Sequence, residues 1–271
     1  MPPLRDWRIF YRGISVSDIL KSFAARSQWW TLAMFDIKQR YRRSTLGPLW
    51  ITLSTGIMVG ALGALWSTLF KMDLKEFMPF FAVGLILWTF ISSQINEACT
   101  TYTQFEGYIK QINLPLPLYV LRVWSRNLIL LAHNMIVFLV VWAVFKFSWM
   151  PNLPMALLWF MIMALIVFFA SIPIAILCTR FRDISPIVQS IIQIMYFFTP
   201  VMWQKKILPE QYHWVADYNP FNHLFEIVRA PLIGQTAELQ SWIWSIGMLA
   251  LFALLASFMH NRYRKRVAYW L

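Results

Sequence analysis

The side chains able to do chemistry in this sequence are few, and most are aromatic. Glu97 and His133 are the clearest ionisable groups within the long apolar stretches. A proton-coupled carrier needs a relay of such groups through the membrane, and two are too few. His133-Asn134 reads as an interhelical hydrogen bond rather than a relay. No Gly-x-x-x-x-Gly-Lys-Ser/Thr phosphate loop occurs, so this chain is not expected to hydrolyse ATP. No His, Cys, Asp or Glu set has metal-ligand spacing. No Ser/His/Asp arrangement can be argued, and no catalytic residue is expected. Glu210, Asp217, Glu226, Arg229 and Glu238 lie in one loop-rich segment without a pairing suited to acid–base work.

Aromatic residues are abundant instead. Trp50, Trp66, Phe70, Trp88, Phe90, Tyr196, Phe197, Phe198 and Trp203 fall on the first, second and fifth apolar stretches. An aromatic face is flat, apolar and slightly negative. The C–H faces of sugar rings stack on it without a fixed hydrogen-bond pattern, which suits a conduit along which a polysaccharide slides. Tyr196, Phe197, Phe198, Trp203, Trp66 and Trp88 are the candidate lining. The competing reading is a belt at the membrane–water boundary. Seven residues apart, Tyr196 and Trp203 are expected to share a helical face.

These residues need spanning helices to position them. Of the residues, 59% are hydrophobic and 13% charged, against roughly 25% charged in soluble domains. The fold class expected is an all-α polytopic membrane protein with six transmembrane helices. The spans read as about 47–70, 77–103, 119–145, 155–179, 186–203 and 240–260, each long enough for a bilayer core of about 30 Å. Basic blocks at Lys38–Arg43 and Arg262–Arg266 abut the first and last spans. By the positive-inside rule both termini are cytoplasmic. The net charge of +12 falls on that same side, which favours anionic membrane lipids as partners over nucleic acid. Cys99 and Cys178 sit in apolar helices as packing residues, and the first 30 residues show no signal peptide.

Two regions complete the organisation. Residues 1–45 form a cytoplasmic arm and an amphipathic interfacial helix, with Ser17-Asp18 as its cap and its start near Ile19. Trp30, Ala33, Met34, Ile37 and Tyr41 share its apolar face, with Asp36, Gln39 and Arg43 opposite. Residues 46–271 form the six-helix domain. Its first span carries Gly56-x-x-x-Gly60 and Gly63, which permit close helix approach. Its second ends in a polar half containing Gln94, Asn96 and Glu97, which must face the bundle or a cavity. The loop 104–118 contains a short helical piece. Tyr108, Ile109 and Ile112 are apolar where a solvated loop needs none, so a docking element is expected there. The segment 204–238 is broken by prolines, yet holds an apolar stretch too short to span. It reads as outer re-entrant helices between spans five and six.

The order of several motifs carries a family resemblance. They are Asp36 through the basic run to Leu46-Gly47-Pro48-Leu49-Trp50, the Arg182-Asp183-Ile184 turn, Tyr196-Phe197-Phe198-Thr199-Pro200-Val201, Leu208-Pro209, Tyr218-Asn219-Pro220, and Arg229. At these spacings the chain resembles the membrane-spanning (permease) subunit of bacterial ABC-2 type polysaccharide exporters. It looks closest to the O-antigen exporters, with capsule and teichoic-acid exporters as relatives. The resemblance implies a homodimer joined to two copies of a nucleotide-binding ATPase subunit, which would carry ATP and Mg; this chain would bind no cofactor. It implies export of an undecaprenyl-linked polysaccharide across the bacterial inner membrane. By that likeness Trp30, Met34, Ile37, Tyr41, Arg42 and Arg43 belong to an interfacial gate. Glu106, Gly107, Tyr108, Ile109, Lys110 and Ile112 would form the ATPase-coupling helix. The reading from another class is a membrane polymerase or ligase acting on lipid-linked sugars.

Overall fold

The computed structural model describes residues 16–271, apart from Pro48, Asn113, Lys146 and Ser148. The expected irregular arm at the N-terminus lies outside the described residues. Eleven α-helices follow in order among the described residues: α1 (Val16–Ala24), α2 (Arg26–Arg40), α3 (Leu49–Leu69), α4 (Leu74–Gln104), α5 (Glu106–Gln111), α6 (Leu116–Phe145), α7 (Leu153–Arg180), α8 (Ile184–Phe198), α9 (Trp214–Asp217), α10 (Pro220–Leu232) and α11 (Leu239–Trp270). Five of them, α3, α4, α6, α7 and α11, are long and apolar enough to cross a membrane. The chain is a multi-pass membrane protein.

Helix ends follow local chemistry. Asp73 accepts from the Lys75 amide at 3.0 Å, Asn152 from Met155 at 3.2 Å, and Asn219 from Phe221 at 2.9 Å. Each satisfies a donor that the first turn leaves open. Gly47 turns the chain between α2 and α3 with a φ of +56°, a conformation open to glycine. α7 runs unbroken through Pro173.

α4 and α7 form the centre, and four of the large fully buried rings, Phe77, Phe81, Tyr102 and Phe168, belong to them. α3, α6, α10 and α11 pack around this pair. Gly63 of α3 faces Met78 of α4, whereas a side chain at Gly60 would meet nothing. The small-residue stripe therefore serves α4 at one position and is open at another.

Three expectations need correcting. The N-terminal helix is two pieces: α1 ends at Ala24 and α2 begins at Arg26, with no side-chain cap at Ala25. α1 is held from afar, because Asp18 accepts from Arg264 of α11 at 2.5 Å. The helix expected as the fifth span, α8, ends at Phe198 rather than Trp203; its 15 residues extend about 22 Å, and it is not among the five helices long enough to cross. Pro200 ends it by holding Thr199 extended, and Asn219 donates to the Phe198 carbonyl and the Thr199 hydroxyl, both at 3.1 Å. His133 bonds the Ile129 carbonyl of its own helix at 2.7 Å, and the interhelical bond belongs to Asn134, which accepts from Thr55 at 3.3 Å.

The segment after α8 climbs and returns. Lys206 reaches Glu76 in the first turn of α4, while Asn219 lies back against the end of α8. α10 then rises from Phe221, beside Trp88, to Pro231, whose carbonyl accepts from Asn152 at the start of α7. Arg229 of α10 locks this arrangement. It donates to the Pro200 carbonyl at 2.8 Å and lies 3.8 Å from the Phe80 ring centroid. Burial lowers its pKa to about 9, with nearby Glu226 opposing the shift, so it stays charged at neutral pH. A Cβ at Gly84 would stand 3.1 Å from the Val201 carbonyl and 3.6 Å from Arg229. Gly84→Val is therefore expected to cost about 1–3 kcal/mol through overpacking. Thermal unfolding in detergent measures this, and an unchanged midpoint would mean that the 199–203 turn yields freely.

Candidate functional site

The densest polar chemistry lies where α2, α4, α5 and α6 meet, at the end of the bundle that carries the basic blocks. Its first member is Asp36. The sequence places this residue on the solvent side of its helix, but the structure turns it inward. Ala33 and Ile37 bury against α6, and Asp36 lies on the same side of α2. The reason is charge pairing. Arg122 grips Asp36 with both ends of its fork, Nε at 2.8 Å and Nη2 at 2.5 Å. A bidentate guanidinium–carboxylate pair fixes orientation as well as distance. Arg126, one turn further along α6, approaches Asp36 at 3.5 Å and donates to Glu97 at 2.8 Å.

Glu97 continues the chain. It accepts from Asn127 at 2.9 Å, and Asn127 also donates to Gln94, which donates to Ser171 of α7 at 3.1 Å. Gln94 and Glu97, in the polar half of the second span, thus find their partners within the protein. The network runs unbroken from α7 through α4 and α6 to α2. Arg40 adds an exposed contact to Glu97 at 3.5 Å.

The loop element enters the same network. α5 spans six residues, with Glu106 and Lys110 paired at 2.6 Å across one turn. The Arg122 guanidinium lies 4.2 Å from the Phe105 ring centroid and 5.6 Å from that of Tyr108. One face of Arg122 therefore meets the rings before and within α5, while its edge holds α2. Tyr108 and Ile112 are about half exposed, Ile109 packs partly on the core, and Gly107 has open space around it. This is a short helix with apolar side chains projecting from the bundle and a cationic anchor behind them.

On α2 Ile37 is buried, Met34 half-buried and Trp30 exposed; in the turn after it Tyr41 is half-buried and Arg42 and Arg43 are exposed. The candidate conduit rings separate into groups. Trp88 and Tyr196 meet at 5.4 Å between centroids, and Phe197 lies 5.4 Å from Tyr196. They line a groove of about 570 Å³ shared with Ser92, Asn96, Gln189 and Gln193. Phe198 points outward, and Trp66 stacks on Phe70, just past the end of its own helix. Trp203 does not continue the Tyr196 face. It lies beyond the helix end and donates its indole N–H back to the Phe197 carbonyl at 2.9 Å.

Sequence reasoning missed the pairing of Asp36 with Arg122 and Arg126. The available signal was two arginines at i and i+4 inside an otherwise apolar span, a placement that demands buried partners. Cys99 and Cys178 are buried free thiols, and no group of three metal-ligating residues occurs among the described residues.

Comparison with known proteins agrees with this geometry. Two Klebsiella pneumoniae proteins named O-antigen export system permease protein RfbA are 24% and 23% identical over 189 residues, covering 68% of this chain and 72% of theirs. The polysialic acid transport protein KpsM of Escherichia coli is 24% identical over 234 residues, covering 84% of this chain and 88% of its own. The family described as ABC-2 type transporter matches residues 27–233, from the start of α2 to the end of α10. This chain belongs to the ABC-2 type transporter family, as a membrane subunit that works with an ATP-binding partner.

Proposed function

We propose that this chain is the transmembrane subunit of an ATP-driven exporter of undecaprenyl-linked O-antigen polysaccharide, acting as a homodimer with two ATPase subunits in the bacterial inner membrane. The observation that carries the reading is Arg122, which touches the coupling element through Phe105 and Tyr108 and holds α2 through Asp36. A push on α5 from an ATPase reaches α2 through one rigid, charged side chain. α2 leads into α3, so the movement arrives at a spanning helix. The Trp88–Tyr196 groove, with its amides and hydroxyls, offers stacking faces and hydrogen bonds to a passing sugar. The apolar face of α8, with Ile187, Ile191 and Ile194 exposed, supports pairing with a second copy. The positive-inside rule places α5 and both termini in the cytoplasm.

The likeness to the polysialic acid transport protein KpsM gives weaker support to a second reading, capsular polysaccharide. Deleting the gene is expected to remove one surface glycan and to trap its lipid-linked precursor inside. Affinity-tagged protein is expected to retain an ATPase subunit through purification. The composition of the lost glycan separates O-antigen from capsule. Normal surface glycans together with no retained ATPase would overturn the proposal.

A further inference from the structure

At the opposite end of the bundle lies a cleft that the coupling network and the aromatic groove leave unused. Its volume is about 760 Å³, within the roughly 300–1,000 Å³ of small-molecule sites. Three separate parts of the chain build its walls. The start of α4 supplies Asp73, Lys75, Glu76 and Phe80; the α6–α7 connection supplies Phe147 and Trp149; the segments flanking α9 and α10 supply Gln204, Lys206 and Gln235.

The aromatic wall is held in place. Phe147 and Trp149 stack at 4.7 Å with 26° between planes, and Phe145 extends the column at 6.0 Å. The Trp149 carbonyl accepts from the Trp142 indole at 3.4 Å. Gly234 lies against the Trp149 side chain, with a φ of +75°, and a Cβ there would come within 3.0 Å. Both the backbone conformation and the close approach call for glycine at this point. Phe80, on the facing wall, is fixed by the Arg229 guanidinium beneath it. Rings positioned by other elements are pre-organised, which lowers the cost of binding.

Among the described residues the polar lining has no net sign. Asp73 and Glu76 balance Lys75 and Lys206, and Glu76 and Lys206 form only a loose, mostly exposed pair at 3.5 Å. Gln204 and Gln235 add amides that can both donate and accept. A phosphate or other anion would be favoured by a cationic excess, and an acyl chain by a dry lining. Flat apolar rings beside charge-balanced donors and acceptors match a polyhydroxylated ring, whose C–H face stacks while its hydroxyls bond the rim. We infer that this cleft is a sugar-binding subsite for neutral glycan units. The identity of that glycan rests on the exporter reading, in which the cleft faces outward and holds sugar units that have already crossed.

The test uses full-length protein in lipid nanodiscs and, as probe, oligosaccharide released by mild acid from the host's own surface glycan. Saturation-transfer NMR is expected to show saturable binding. Trp149→Ala is expected to weaken it at least tenfold and Trp149→Phe much less. Glu76→Gln with Lys206→Ala alters only exposed side chains and is expected to weaken it severalfold in protein of unchanged thermal stability. Trp214→Ala, an exposed ring outside the cleft, serves as control and leaves binding intact. No binding by wild type, or binding unaffected by the exposed-pair variant, overturns the subsite. Surface glycan that persists after gene deletion, alongside intact cleft binding, overturns the exporter reading and leaves the subsite standing.

Discussion

Arg122→Ala is expected to lower stability by about 3–5 kcal/mol, the range for removing one partner of a buried ion pair. Both Arg122 and Asp36 are nearly inaccessible, so water cannot replace the lost guanidinium. Asp36 would retain only Arg126, at 3.5 Å and shared with Glu97. The Phe105 and Tyr108 rings would lose the cation between them and α2. Asp36→Ala is expected to be as severe, because Arg122 and Arg126 would then face Glu97 alone. Arg122→Lys is expected to fall between, since a point charge neither forks nor stacks as a guanidinium does. Arg40→Ala is the contrast: its contact to Glu97 is exposed, and such pairs contribute about 0–1 kcal/mol. Thermal unfolding in detergent ranks the four variants. Surface glycan at matched expression shows whether loss of the pair also stops transport. Arg122→Ala with wild-type stability and wild-type export would remove the network from the coupling argument.

Tyr108→Ala combined with Ile112→Ala is expected to abolish retention of the ATPase subunit while leaving the membrane domain folded. Both side chains are about half exposed, Tyr108 on a helix of six residues and Ile112 just past its end, so truncation leaves little cavity behind. An apolar or aromatic anchor at an interface centre contributes about 2 kcal/mol or more. Two such losses together weaken association by about three orders of magnitude, at 1.4 kcal/mol per tenfold. Ile109 is the weaker choice for this test, because it packs partly on the core and its loss would mix folding with docking. Tyr108→Phe is expected to retain most of the association, since its ring still covers Arg122. The readouts are the ATPase recovered with tagged protein and ATPase activity of the purified complex. Full retention by the double variant would make α5 a plain connector.

The spanning helices were legible in the sequence because apolar length is a property of the chain taken in order. The expected spans at 47–70, 77–103, 119–145, 155–179 and 240–260 correspond to α3, α4, α6, α7 and α11. The short apolar stretch after Asn219-Pro220 became α10, since that dipeptide supplies both a cap and a first-turn proline. The projecting element at Glu106–Gln111 was visible through its misplaced apolar residues.

Tertiary structure alone decided three things. The rotation of α2 was one, because Asp36 reads as solvent-facing until Arg122 and Arg126 are placed beside it. Ala33 and Ile37 stay buried beside Asp36, while Trp30 of the expected face is exposed. The capping of α8 was another: Pro200 breaks the helix locally, but the Asn219 that takes up its last carbonyl comes from some twenty residues away. That early end removed Trp203 from the Tyr196 face and left Trp88, from a different helix, as its partner. The cleft beneath Trp149 was the third. Its walls come from parts of the chain far apart in sequence, and only the packing of Gly234 against Trp149 and of Arg229 against Phe80 brings them to one place.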